Sequence, residues 1–382
     1  MAEGLHARGH DVTFVCSGDG WYRPRTRERR AGWHHRETAS WAPLHFEEGS
    51  SPLGLLQRAV LLRDRWDLIY TFSHFAVDQG AARLLRQRAT FWMTDWCDLW
   101  DSQAGGLHDW RLWAKPLPPW TSGWRGEATK RLYAFEDGLE ASAARNADAV
   151  SIIVSPMFER TDALGIPRRK ILHLVSGADT TAIVPRDRIE CRRELDLPAD
   201  ALVAAYVANV TPDNKQLEEA LRIGWERHPN MIMLSVGPTW FPEGSWLASQ
   251  RDAGRLRDFG RQPFARVPLF MGAADFLLMP ITNAPFNRCR WPNKFGDYMA
   301  SGRPTATTRV GDMGLVTDRY GVGVAGEVSG RGLGEALLTL AGDAELRQRA
   351  GEAARRTAET SFSWDRKIAR LVRFLRGRGV PA

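Results

Sequence analysis

No run of about 18 consecutive apolar residues occurs in this chain of 382 residues, which excludes a membrane-spanning helix. The first residues hold no basic segment followed by an apolar one, the mark of a secretory leader. Cysteine is scarce. Cys16, Cys97, Cys191 and Cys289 stand far apart with no C-x-x-C pair, which fits a reducing cytoplasm and argues against structural zinc. There is no short-period repeat, no D-x-D motif for a bound divalent metal, and no aromatic-basic segment of the kind that reads nucleic acid.

What is present is ordinary globular composition, 43% hydrophobic and 25% charged. The length exceeds one ordinary core and implies two domains. A net charge of +7 permits three partners: nucleic acid, an anionic membrane face, or phosphorylated substrates. The densest basic cluster, "RPRTRERR" at 23–30, reads as a loop. Without a nucleic-acid motif, the expectation is a cytoplasmic protein with no nucleic-acid partner, whose only membrane contact is peripheral, at an anionic inner face.

Strand-like apolar runs alternate with helix-like periods, the signature of parallel α/β domains. The first half offers "DVTFVCS", "LIYTFS", "ATFWMTD", "AVSIIVS" and "ILHLVSG"; the second offers "LVAAYVANV", "MIMLSVG", "DFLLMPI", "TATTRVG" and "VGVAG". Amphipathic stretches such as "LLQRAVLLRDRW" and "QLEEALRIGWERH" separate them. The reading is two doubly wound sheets. Residues 1–182 form an N-terminal domain, 183–362 a C-terminal domain, and 363–382 a terminal helix packing back on the first domain, an arrangement that suits a two-substrate reaction. "MAEGLHARGHDV" reads as the end of a helix, a Gly turn and a strand, so the first strand and Gly loop of such a domain are expected to be missing from these residues.

The segment "NRCRWPNKFGDYMASGRPTATT" crowds Arg288, Arg290, Lys294 and Asp297 around one helix start, which a plain capped surface helix does not explain. Helix starts bind anions through unpaired N–H groups and the positive end of the dipole. On another strand end, "TDWCDLWDSQAGG" places Asp95 and Asp98 where either could orient or deprotonate a hydroxyl. Trp96 and Trp100 begin a Trp-rich segment whose rings could stack on a ligand, and His74 in "TFSHFA" also ends a strand. Each has a plainer alternative: an Asp-capped loop, a partly buried flap, a structural histidine.

The second half resembles glycosyltransferase family 4, retaining enzymes of the GT-B fold that use nucleotide-sugar donors. The resemblance rests on "YVANVTPDNK", "LFMGAADFLLMPI", "WPNKFGDYMASGRPTATTRVG" and "LRQRAGEAARRTAETSFSW". In the first half it rests more weakly on "GLHARGHDVTFV", "WDLIYTFS", "TDWCDLW" and "RNADAVSIIVSPMFERTDALGIPRRKILHLVSGAD". The ordered set covers nearly the whole chain, and the resemblance implies that residues 1–182 are the acceptor-side domain and 183–362 the donor-binding one. The resemblance implies that Asp297 binds the ribose hydroxyls, the second of two family acids eight positions apart; the first falls on Cys289. It implies that the backbone near Trp291, Pro292, Asn293 and Lys294 holds the diphosphate. Lys215, with Asn209 and Thr211 in its loop, would assist, as would Arg288 or Arg290. The base would sit near Arg261. Asp95, Asp98 and Lys215 would carry the catalysis and Trp96, Trp100 and His74 the acceptor, with no metal and no cofactor beyond the nucleotide sugar. The implied function is retaining transfer to a hydroxyl of a polysaccharide, glycolipid or natural product. Two alternatives stay open. One is an inactive partner subunit, which the expected lack of the first strand, Asn209 and Cys289 favour; the other is a sugar-nucleotide epimerase of the same architecture.

Overall fold

The computed structural model describes residues 1–17, 34–38, 51–72, 75–86, 90–108, 122–208, 214–239 and 241–381. The chain divides into two compact units. Unit 1 comprises Met1–Val175, Ala284–Arg290 and Lys367–Ala382; unit 2 comprises Ser176–Asn283 and Trp291–Arg366.

In unit 1, helix α1 (Ala2–His6) leads to β1 (Thr13–Ser17), which pairs in parallel with β2 (His34–Thr38). Helices α2 (Pro52–Leu61), α3 (Ala76–Leu85), α4 (Gly123–Asn146) and α5 (Met157–Ala163) connect β3 (Leu68–Thr71), β4 (Phe91–Trp96), β5 (Ala149–Ile152) and β6 (Ile171–His173). These four strands form a parallel sheet in chain order, and among the described residues no strand joins it to the β1–β2 pair. Strand β5 is buried along its whole length, which is why "AVSI" reads as an unbroken small-apolar run rather than an alternation. Met93, Ala149 and Leu172 pack with Leu371 and Leu375 from the end of the chain.

Unit 2 begins with α6 (Arg188–Glu194), followed by β7 (Val203–Val207), α7 (Asn214–Arg227), β8 (Ile232–Val236), α8 (Trp246–Asp252), β9 (Leu256–Asp258), α9 (Val267–Ala273) and β10 (Phe276–Met279). After the short α10 (Pro285–Arg288), which clusters with unit 1, come α11 (Asn293–Ala300), β11 (Thr305–Thr308), α12 (Gly311–Tyr320), β12 (Gly323–Gly326), α13 (Gly330–Gly342) and α14 (Ala344–Thr357). The chain ends with α15 (Trp364–Arg376), whose residues from Lys367 belong to unit 1. The six strands are parallel in the order β12-β11-β10-β7-β8-β9. Leu217, Leu221 and Trp225 of α7 interlock with Leu333, Leu337 and Leu340 of α13 over the sheet.

The division between units falls after Val175, earlier than the sequence pattern places it. Hydrogen bonds supply the reason. Arg355 on α14 donates to the carbonyls of Thr180 (3.1 Å), Ile183 (2.9 Å) and Ala300 (2.8 Å), and the Ala178 N–H donates to Phe362 O at 2.6 Å. One guanidinium thus holds residues 180–183 against unit 2, as side chains with several donors do for irregular backbone.

Candidate active site

In unit 2 the first strand, β7, has β8 on one side and β10 on the other. The connections leave β7 in opposite directions, so the topological switch point lies between β7 and β10. Open parallel sheets bind ligands outside the carboxyl ends of the strands at this point. The β7–β10 ladder carries the pairs Phe276↔Ala204 and Leu277↔Ala205. Beyond it, the hydroxyl of Tyr298 bridges the two strands. It accepts from the Val207 N–H at 2.9 Å and lies 3.2 Å from Val207 O and 3.4 Å from Leu278 O. Tyr298 is fully buried, and burial raises its pKa. A buried N–H without such a partner would cost about 1–3 kcal/mol, so this hydroxyl stabilises the splayed strand ends.

Tyr298 also fixes α11, whose Phe295, Met299 and Ala300 are buried with it. Pro292 is the N-cap, and no side chain caps the helix. One residue into the helix, the Lys294 ammonium donates to the Tyr206 hydroxyl at 3.1 Å and lies 4.9 Å from the centroid of that ring. Tyr206 belongs to β7, so this cation is drawn to the carboxyl end of the switch-point strand. Asp297 stands one turn further on. Burial pushes its carboxyl up to about 7, the nearby Asp179 pushes the same way, and Lys294 pulls it down. Asp179 itself accepts from the Thr181 hydroxyl (2.9 Å) and the Ala182 N–H (2.9 Å). Gly237 closes the loop after β8 onto β7: with φ +144°, a Cβ there would lie 1.7 Å from Ala208 O.

The other donor-side residues are less enclosed. Lys215, in the first turn of α7, and Arg261, just after β9, are exposed. Asn293 is exposed at the start of α11 and Pro292 is buried. Trp291 is buried and stacks on Phe362 with centroids 5.3 Å apart and planes 2° from parallel, which makes it a clasp within unit 2. Arg288 and Arg290 cluster with unit 1, whereas Lys294 and Asp297 belong to unit 2. Asn209, Thr211 and His74 lie outside the described residues.

In unit 1, Asp95 stands on β4 opposite Ser151 of β5. Its Oδ1 accepts from the Tyr70 hydroxyl at 3.1 Å and from the Ser151 hydroxyl, and Tyr70 and Ser151 lie 2.6 Å apart. Burial raises Asp95 to about 6 against these two hydrogen bonds. Burial also raises Asp98 to about 6, with Arg290 pulling the other way. Trp96 is buried under the Arg160 guanidinium, 5.0 Å from its ring centroid. Arg160 pairs with Asp101 and, at 2.6 Å, with Glu140, which burial raises to about 7 despite that cation. Trp100 is half-buried, its ring 5.4 Å from that of His108. His108 bonds Asp137 at 2.6 Å and stacks on Tyr133. Burial opposes ionisation of Asp137, but the bonds from His108 and Ser102 hold its carboxyl below the usual range.

Sequence reasoning missed Tyr70, Ser151, Tyr206 and Tyr298. Their signal was polar atoms inside otherwise apolar strand runs ("LIYT", "AVSI", "VAAYV") and a Tyr directly after Asp297.

Residues 1–174 match a family model described as "Glycosyl transferase 4-like domain". None of the curated proteins matches the chain. Among solved structures, sucrose-phosphate synthase from Thermosynechococcus elongatus is 16% identical with a TM-score of 0.73, covering 100% of this chain and 92% of its own. A glycosyltransferase from Rickettsia africae is 14% identical at TM-score 0.70, with coverages of 100% and 93%. Anabaena Alr3699/HepE, solved in complex with UDP-glucose, is 13% identical at 0.68, with coverages of 99% and 93%. The fold is GT-B. The first 174 residues resemble a glycosyl transferase 4-like domain, and the likeness to these solved structures extends the GT-B fold over the whole chain.

Proposed function

We propose that the chain transfers a sugar, with retention of configuration, from a nucleotide-sugar donor to a hydroxyl of an acceptor. The observation that carries this reading is the pairing of Lys294 with Tyr206 at the β7–β10 switch point, with Asp297 one turn behind it. In this reading Lys294, the first amides of α11 and the exposed Lys215 and Arg261 neutralise the diphosphate. Asn209 and Thr211, which precede Lys215 in the sequence, complete the donor set. Asp297 accepts from the two ribose hydroxyls. Asp95 and Asp98 serve the acceptor.

In the reaction the acceptor oxygen bonds to the anomeric carbon as the bond to the diphosphate breaks on the same face. The acceptor proton passes to the departing phosphate oxygen, with Asp95 or Asp98 orienting the hydroxyl. The catalytic power is assigned to positioning and to charge neutralisation, and turnover requires no metal. A relative with the same fold was solved with UDP-glucose, which puts uridine-diphosphate sugars first in the test. A thermal-shift panel of nucleotide sugars should raise the melting temperature with one donor class, since a ligand stabilises the state it binds. That donor should then be consumed with release of nucleoside diphosphate. A chain that no nucleotide sugar stabilises, or that binds one and never turns it over, would overturn the proposal.

A further inference from the structure

Helix α2 is built inside out. Ser51 caps it, accepting from the Gly54 N–H at 3.1 Å. Its inward face carries Gly54 and Arg58, both buried. Arg58 pairs with Asp78 of α3 and donates its Nε–H to the Thr38 hydroxyl at 3.1 Å. The opposite face carries Leu53, Leu56 and Val60, 51%, 63% and 63% exposed. Spacings of three, four and seven put these three side chains on one stripe over two turns. A soluble helix buries its aliphatic face and exposes its charge; this one does the reverse.

Helix α3 packs against both α2 and α4, so the three form one layer. On α4, Trp124 and Phe135 are 68% and 59% exposed, with exposed Arg131 between them at the same helical spacing. The charges exposed on this layer and just after α2 are mainly positive: Arg63, Arg65, Arg83, Lys130, Arg131 and Arg145 against Asp64, Asp67 and Glu127. Contiguous exposed apolar surface marks an interaction site. Aliphatic and Trp side chains mixed with Arg on exposed helix faces suit the interface of an anionic bilayer.

We propose that this layer, through the Leu53–Leu56–Val60 stripe of α2, docks the protein peripherally on an anionic lipid surface. The inference is independent of the sugar-transfer reading. Apolar burial gives it depth; the basic rim gives it charge selectivity and salt sensitivity.

The test is flotation of the full chain with vesicles of phosphatidylglycerol and phosphatidylcholine, then with phosphatidylcholine alone. The parent should float with the anionic vesicles and lose most of that binding on pure phosphatidylcholine or in high salt. Leu56→Ser with Val60→Ser should weaken flotation about tenfold at unchanged melting temperature, because neither side chain supports the core. Should that variant fold poorly, Arg65→Glu with Arg131→Glu supplies the second arm. It should abolish binding to anionic vesicles and leave the apolar stripe intact. A parent that stays unbound, or serine and charge variants that float as the parent does, would overturn the proposal. So would a parent dimer that the serine variant converts to monomer, since the stripe would then be an interface between copies.

Discussion

The sharpest test of the donor assignment is Asp297→Asn, because its effects on binding and on stability should have opposite signs. Burial and Asp179 hold the carboxyl up to about 7, while a carboxylate in an unfolded chain titrates near ~3.9. The folded state therefore binds more protons than the unfolded state between those values. The cost of Asp297 to stability is absent below the unfolded value, grows as pH rises, and is full above about 7. Removing the charge should raise the melting temperature of the unliganded protein at about pH 8 and leave it little changed at about pH 4. Donor binding should respond the other way. The ionised carboxylate accepts from two ribose hydroxyls, and its loss should cost about 1.5–3 kcal/mol, or roughly 10- to 150-fold in affinity. In the parent the ionised fraction rises from about one-tenth at pH 6 to about nine-tenths at pH 8, so affinity should climb about tenfold across that range. The assay is isothermal titration with UDP-glucose, whose diphosphate diester does not titrate in this window. Parent affinity independent of pH, or an Asn variant with the same pH slope, refutes the ribose role. An Asn variant that binds normally and is also more stable would mean Asp297 serves something other than the donor.

Turnover should survive excess EDTA unchanged; activity abolished by EDTA and restored by Mn²⁺ would contradict the cation and helix-amide cradle. Tyr298→Phe should cost about 1–3 kcal/mol in denaturant unfolding, because it leaves the Val207 N–H without its bond between the splayed strands. Unfolding free energy equal to the parent's would show that the strands close without the hydroxyl. Arg160→Met should destabilise by about 3–5 kcal/mol, since it strands Glu140 and Asp101 without their cation, and adding Glu140→Gln should recover part of the loss.

Most strands were legible because parallel sheets bury both faces and leave unbroken apolar runs, as in "VAAYV" and "FLLM". The two strands that escaped notice, His34–Thr38 and Leu256–Asp258, lack that signal: "HHRET" is polar throughout and "LRD" is three residues long. Helix α4 escaped for a related reason. Its 24 residues bury Glu136, Asp137 and Glu140, so polarity does not mark its outward face. The Lys294–Asp297 turn was visible as a charge cluster. The hydroxyls that hold it were not, because Tyr206 and Tyr298 look like core aromatics in sequence. Which residues group together in space was also hidden. Arg290 is next to Trp291 in the chain, yet it joins unit 1 and acts on Asp98.

The two candidate carboxylates of unit 1 are not equivalent, and the difference bears on which one orients the acceptor. Both are raised to about 6 by burial, which brings a carboxylate near the pH at which a general base works best. Asp95 is held by two hydroxyls, Tyr70 and Ser151, and both bonds fall on Oδ1. That arrangement fixes the plane of the carboxylate from strands β3 and β5 while leaving Oδ2 for another hydroxyl. Asp98 follows β4 outside the strand, and its charge is balanced by Arg290 rather than by oriented donors. A catalytic base needs a fixed geometry before it needs a tuned pKa. On that ground Asp95 is the better candidate to orient the acceptor hydroxyl. Asp98, with Arg290, is better suited to setting the local potential, its negative charge adding to the burial that raises Asp95.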